Sequence, residues 1–262
     1  MSKQSDQPLL ELRGLTKYFG GLLAIDNVSV DISPKEVVCI IGPNGAGKTT
    51  LINLVTGVFP PTKGTIWFNG KKIDQLPAYR TNSLGIARTF QDLRLFTNLS
   101  VLDNVMVGAR ETAHASLIEI MTQLGRSKKQ AQETLERSME TLALVGLEKK
   151  ADLYPFSLSA KEQKFLALAR CLVTQPTLLF LDEPAGGLSR EEIHELSSFV
   201  LTLRDKGMTI AFIEHRMEMI MGISERVVVL NLGAKIADDT PAKIQQNEAV
   251  IEAYLPKARN RS

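Results

Sequence analysis

Residues 37 to 50 read Val37-Val38-Cys39-Ile40-Ile41-Gly42-Pro43-Asn44-Gly45-Ala46-Gly47-Lys48-Thr49-Thr50. Five apolar residues without polar alternation have the look of a strand buried on both faces of a parallel sheet. The glycines after them let the backbone curl so that successive N–H groups point at one spot. Thr50 to Val55 can then begin a helix. Gly42 to Thr49 fits the G-x-x-x-x-G-K-T pattern in its proper strand–turn–helix setting, where backbone N–H groups and a helix N-terminus cradle phosphate oxygens. Lys48 would bridge the β- and γ-phosphates and the Thr49 hydroxyl would ligate Mg²⁺. The segment therefore predicts a nucleoside triphosphate held by Gly42, Pro43, Asn44, Gly45, Ala46, Gly47, Lys48, Thr49 and Thr50. A glycine-rich turn with no ligand is the rival reading, and eight matched positions count against it.

A second apolar run, Leu178-Leu179-Phe180-Leu181, ends in Asp182-Glu183-Pro184. It delivers two carboxylates to the carboxyl edge of a strand, where open α/β sheets bind ligands. Asp182 fits the aspartate that holds the metal, and Glu183 the general base that polarises an attacking water. Acidic surface turns are common, so the pair gains its weight from the phosphate loop upstream.

Outward from these two points, Thr209 to Ile213 and Val227 to Leu230 look like further core strands. Gly64 to Gly70, bounded by turn residues, suggests a strand in a smaller β layer beside Leu9 to Leu12 and Val28 to Ile32. From about Ser100 to Leu147 strand signals vanish, and Ala131, Leu135, Met139 and Leu142 recur at helical spacing. Gly125-Arg126-Ser127-Lys128-Lys129-Gln130 reads as a polar, solvated loop within that region. The expectation is one α/β domain over 1–262: a P-loop NTPase (RecA-like) core with a parallel sheet, an N-terminal antiparallel β layer and a helical subdomain. Residues 1–91 and 166–262 form the core in this reading, and 92–165 the helical subdomain.

Composition narrows the classes. The chain has 262 residues, 44% hydrophobic and 23% charged, which suits a folded globular protein and excludes a disordered or collagenous one. Lys and Arg number 31 against 29 Asp and Glu, a net charge of +2 that makes no case for nucleic acid. Two cysteines, Cys39 and Cys171, cannot staple a fold of this size; both read as buried free thiols in a reducing compartment. No run approaches the roughly 20 apolar residues of a membrane-spanning helix. The N-terminus lacks the apolar core of a secretory signal, so the chain is expected to stay inside the cell.

Together these residues resemble the nucleotide-binding subunit of an ABC transporter, from Leu9 to about Leu255. Besides the two motifs above, the resemblance rests on Thr89-Phe90-Gln91-Asp92, Ile213-Glu214-His215, Ala185-Gly186-Gly187-Leu188-Ser189, and Phe19 before Gly20-Gly21. Finer features, such as Phe19 to Ala24, Arg88 to Phe96 and Ala169 to Pro176, look like the branched-chain amino acid transporter ATPases of the LivG type. The resemblance implies that Phe19 stacks on adenine, that Gln91 touches Mg²⁺ and the attacking water, and that His215 holds the γ-phosphate and orients Glu183. It further implies two such domains closing head to tail over two ATP molecules, each site completed by the other chain's signature motif. The implied partners are two multi-pass permease subunits, a second ATPase chain and, indirectly, a solute-binding protein. The implied location is the cytoplasmic face of the membrane. Taken singly, Phe19 reads equally well as core, Gln91 as a solvated loop residue, and His215 as a satisfied histidine; their order along the chain favours the functional roles.

One motif departs from the family. The signature, usually Leu-Ser-Gly-Gly-Gln, stands here as Leu158-Ser159-Ala160-Lys161-Glu162. Ser159-x-x-Glu162 is a capping box, and Phe165, Leu166, Ala169, Leu172 and Val173 form an apolar face behind it, so the helix start survives with Ser159 as cap and nucleotide contact. Alanine and lysine bring side chains where glycine allows close approach. The departure suggests that this chain works opposite a different ATPase chain with a normal motif; harmless drift is the alternative. A soluble non-transport ABC ATPase and a low-turnover nucleotide switch stay open as rival functions.

Overall fold

The computed structural model describes residues 7–89, 93–110 and 126–255. Gln91 and its neighbours Phe90 and Asp92, His114 and the basic tail from Lys257 lie outside the described residues. Strands β1 (Leu10–Phe19), β2 (Leu22–Ile32), β4 (Lys63–Phe68) and β5 (Lys71–Lys72) make an antiparallel sheet in the order β2-β1-β4-β5. The central sheet runs β10-β9-β3-β8-β7-β6. Its strands are β3 (Val37–Ile41), β6 (Ile86–Arg88), β7 (Leu178–Asp182), β8 (Thr209–Ile213), β9 (Arg226–Asn231) and β10 (Ala234–Asp239). All neighbours in it are parallel except β10, which pairs antiparallel with β9 at the edge.

The continuous apolar runs explain the layers. Every residue of β3, β7 and β8 is buried. Strand alternation sends Val38, Ile40, Phe180, Ala211 and Val228 toward the antiparallel sheet and the helix α1 (Lys48–Val55). Cys39, Ile41, Leu179, Leu181, Phe212 and Val229 pack on the opposite side. There they meet α5 (Ala160–Leu172), α6 (Arg190–Asp205) and α7 (Met217–Ile223), introduced after α2 (Ala78–Ser83), α3 (Val101–Arg110) and α4 (Arg126–Leu144). Val101 and Val105 of α3, Leu142 of α4 and Leu166 of α5 belong to that same apolar cluster. Two short helices, α8 (Pro241–Gln245) and α9 (Glu248–Tyr254), close the described chain.

Three local readings change. The polar stretch from Arg126 is the first turn of α4, not a loop. Lys, Arg and Gln are good helix formers, and Lys129 pairs with Glu133 one turn on (3.9 Å), so a solvent-facing turn needs no apolar periodicity. Cys39 is buried, but Cys171 is only half-buried, its thiol 3.2 Å from the Arg88 carbonyl. Strands β6 and β10 went unpredicted: β6 is three residues long, and β10 carries Lys235, Asp238 and Asp239, charges an edge strand tolerates.

Candidate active site

The sheet order assembles the site. β3, β8 and β7 are adjacent, and their carboxyl ends carry in turn the phosphate loop, Glu214-His215 and Asp182-Glu183. β6, next to β7, leads into the segment bearing Gln91.

The loop from Gly42 to Gly47 is shaped by positions a side chain would ruin. A Cβ on Gly42 (φ 152) would lie 2.1 Å from the Leu230 carbonyl oxygen, and one on Gly47 (φ 101) 2.7 Å from that of Ala24. Gly47 is the N-cap of α1, which has no acidic residue in its first turn to compete for an anion. Pro43, Asn44, Gly45 and Thr49 reach the surface while Ala46 is buried behind them; Thr50 is half-buried. Lys48 is buried, and its ammonium donates to the carbonyls of Gly42 (2.7 Å) and Pro43 (3.0 Å) across the loop. Burial makes it a weaker base, opposed by the negative charges of Glu183 and Asp182. A cationic amine held among carbonyls, at the mouth of a turn lined by glycine, fits a triphosphate.

Asp182 is buried in an ion pair: the Arg88 guanidinium donates to it at 2.7 Å, with both side chains under 10% exposed (7% and 6%). Arg88 also donates to the side-chain amide oxygen Oδ1 of Asn53, reaching α1 from β6. The Asp182 N–H donates to the Thr89 hydroxyl (3.2 Å). Glu183 takes the left-handed backbone (φ 47), rare for a residue with a side chain and typical of functional turns. Its N–H donates to the Ile213 carbonyl (2.9 Å), and its carboxylate lies 3.3 Å from His215 Nε2. Both side chains keep contact with solvent. Among the described residues no cluster of three or more His, Cys, Asp or Glu is placed to hold a metal ion. The donor set at hand, the Thr49 hydroxyl and Asp182, fits Mg²⁺ only with phosphate oxygens completing its shell.

Phe19 ends β1 with its ring 42% exposed, edge-on to Phe59 at 5.0 Å, with Lys17 Nζ 5.2 Å from its centroid. It is an exposed aromatic side chain. Ser159 caps α5: its hydroxyl accepts from Glu162 N–H (3.3 Å) and its own N–H donates to Glu162 Oε2 (3.0 Å). The expected capping box and buried helix face are present. No hydrogen bond or ion pair among the described residues joins Ser159 to the phosphate loop. Two of the three altered signature residues are engaged within the chain: Lys161 with Glu195 of α6 (2.7 Å), Glu162 with Lys150 (2.5 Å). Lys150 holds Glu162 below the usual carboxylate range, and Glu195 raises Lys161.

Phosphate loop, Asp182, Glu183 and His215 thus converge, while Phe19 and Ser159 stand on separate elements. No role was read from sequence for Arg88 or Glu214. Each leaves only a faint mark there: a charge at the end of an apolar strand. A cleft of about 490 Å³ opens beside the site, between the α1–α2 side and α3–α5; Tyr79, Arg94, Phe96, Gly108 and Arg170 are among its walls.

Comparison with known proteins gives the following. Residues 25–186 match a family model described as ABC transporter, and 234–255 one described as branched-chain amino acid ATP-binding cassette transporter. The chain is 41% identical over 253 residues to the high-affinity branched-chain amino acid transport ATP-binding protein LivG of Escherichia coli K12, covering 96% of this chain and 99% of the relative. A nucleotide-free ATP-binding cassette from an ABC transporter superposes with a TM-score of 0.85 at 29% identity, covering 96% of this chain and all (100%) of that one. A dimeric ATP-binding cassette in a post-hydrolysis state, bound to ADP and phosphate, superposes with a TM-score of 0.74 at 25% identity, covering 88% of this chain and 98% of that one.

Proposed function

The chain belongs to the ABC transporter family, and on that premise we propose that it is the ATP-hydrolysing subunit of an importer for branched-chain amino acids or a related small solute. The observation that carries this is the Glu183–His215 contact of 3.3 Å beside a buried Lys48 and a glycine-shaped loop. The solute class draws on the likeness to LivG and on the match over 234–255. In this reading Gly42 to Thr50 and Lys48 hold the triphosphate, Phe19 stacks on adenine, and Thr49, Asp182 and Gln91 hold Mg²⁺. When bound, Mg²⁺ neutralises charge developing on the phosphates. Glu183 accepts a proton from the attacking water, and His215 orients Glu183 and contacts the γ-phosphate.

The working unit is a dimer with a second, different ATPase chain, to which Ser159 offers the N-terminus of α5. The division into core (1–91 and 166–262) and helical subdomain (92–165) belongs to the same reading. A permease helix would seat in the 490 Å³ cleft, whose rim carries the exposed rings of Tyr79 and Phe96. No described helix is long and apolar enough to cross a membrane, which suits a peripheral subunit on the cytoplasmic face, with two permeases and, indirectly, a solute-binding protein as partners and no nucleic acid. Affinity purification from native membranes tests the assembly. Two multi-pass permeases and a second ATPase are expected to accompany the chain; ribosomes, DNA or nothing at all would end the importer reading.

The altered signature belongs here too. Lys161 and Glu162 are turned to Glu195 and Lys150, so the α5 N-terminus offers phosphate its N–H groups without the close approach of glycine. This favours one slow site in the assembled pair. Replacing Ala160→Gly, Lys161→Gly and Glu162→Gln together is expected to raise turnover of the complex by up to about twofold, as a second site begins to work. Unchanged hydrolysis and transport would show the departure to be drift. A nucleotide switch with little turnover is the second reading, favoured by those same ion pairs and opposed by the intact Glu183 and His215.

A further inference from the structure

Glu214 stands between the last residue of β8 and His215, and its side chain is almost wholly buried (3% exposed). Its carboxylate accepts three backbone N–H groups. Oε2 takes that of Ala185 at 2.9 Å; Oε1 takes those of His215 at 2.8 Å and Arg216 at 3.1 Å. These donors come from two separate turns at the ends of neighbouring strands. One turn follows Glu183; the other carries the histidine. Lys164 of α5 faces both Glu214 and Glu183, and Cys39 of β3 lies close enough to feel the Glu214 charge.

Among the described residues, these turns are also joined by the Glu183 N–H to the Ile213 carbonyl and by the imidazole–carboxylate contact itself. The first belongs to the strand ends and cannot orient side chains; the second is what must be held. A buried carboxylate that accepts charge-assisted bonds from both turns is suited to hold it. We propose that Glu214 is a positioning residue: a buried clasp that joins the turn after Glu183 to the turn bearing His215, so that the two catalytic side chains keep register and shift together. The inference rests on the roles proposed above for Glu183 and His215. It has a consequence for the stretch Ala185 to Ser189, because a displacement there is passed to His215 through Glu214 without passing through nucleotide.

Glu214→Gln is the informative variant because it is nearly isosteric. Whichever way the amide turns, its NH₂ faces at least one backbone N–H, donor against donor. In the assembled complex purified from membranes, kcat should fall about tenfold to a hundredfold while the KM for ATP stays within about twofold, since misplacement harms the reacting geometry and leaves the phosphate loop alone. In a His215→Ala background the same change should cost nothing further, because the clasp acts through the histidine. A kcat within about twofold of wild type, or losses that multiply in the double variant, would overturn the clasp. If Glu214→Gln does not fold, Glu214→Asp replaces it: the shorter carboxylate stays beside His215 and Arg216, withdraws from Ala185, and is read by the same two criteria. Glu183→Gln is run alongside. Wild-type turnover there removes the base reading and the clasp with it; an inactive Glu183→Gln beside a fully active Glu214→Gln removes the clasp alone.

Discussion

Glu183→Gln is expected to lower ATP turnover by about 10²- to 10⁴-fold, the usual contribution of a positioned general base, while ATP still binds. That loss corresponds to about 3–5 kcal/mol in the barrier. Glutamine keeps the size and one acceptor oxygen but cannot take a proton from water. In the proposed function the nucleotide is held by Phe19 and by Gly42 to Thr50, away from the Glu183 carboxylate, so affinity should hardly change. Stability should hardly change either: the Glu183–His215 contact is partly exposed (30% and 40%), and such pairs are worth about 0–1 kcal/mol. Steady-state hydrolysis and equilibrium ATP binding, measured on the same preparation, separate the two effects. Hydrolysis near the wild-type rate would remove Glu183 as the base and leave the proton acceptor to be sought elsewhere.

Arg88→Ala should destabilise the fold by about 3–5 kcal/mol, because it strands the Asp182 carboxylate in a buried site. The guanidinium spans from Asp182 on β7 to Asn53 on α1, so its loss also uncouples the helix behind the phosphate loop from the strand that carries Asp182. Arg88→Lys keeps a charge but not a planar fork able to serve both partners, and should cost less than alanine yet more than a surface change. Urea unfolding reads these differences. In an Arg88→Met, Asp182→Asn double variant the buried charge is gone with its partner, and much of the stability should return. A shift below about 0.5 kcal/mol for Arg88→Ala would mean that water or another group compensates Asp182 and that the pair is not a structural strut.

The features legible in the sequence are those whose physics is local. Backbone N–H groups that curl around phosphate must be consecutive, so Gly42 to Thr49 carry their function in one contiguous motif. A strand buried on both faces needs nearly every residue apolar, and Val37 to Ile41, Leu178 to Leu181 and Ile210 to Ile213 announce themselves that way. The Ser159–Glu162 capping box is a three-residue relation, and it formed as read. The same local logic misled at Arg126 to Gln130, where polarity suggested a loop and helix propensity prevailed.

What only the folded chain decided are the pairings of charged side chains with distant partners. Arg88 meets Asp182 across 94 positions, Glu214 meets Ala185 across 29, and Lys161 meets Glu195 across 34. A lone charge at the end of an apolar strand does not name its partner. That partner is chosen by the strand order β3-β8-β7-β6, which sets four carboxyl ends side by side, and by the helix packing that brings α5 against α6. Motif chemistry is written in consecutive residues because one stretch of backbone performs it; the struts that hold the motifs in register are tertiary because they must reach from one strand or helix to another.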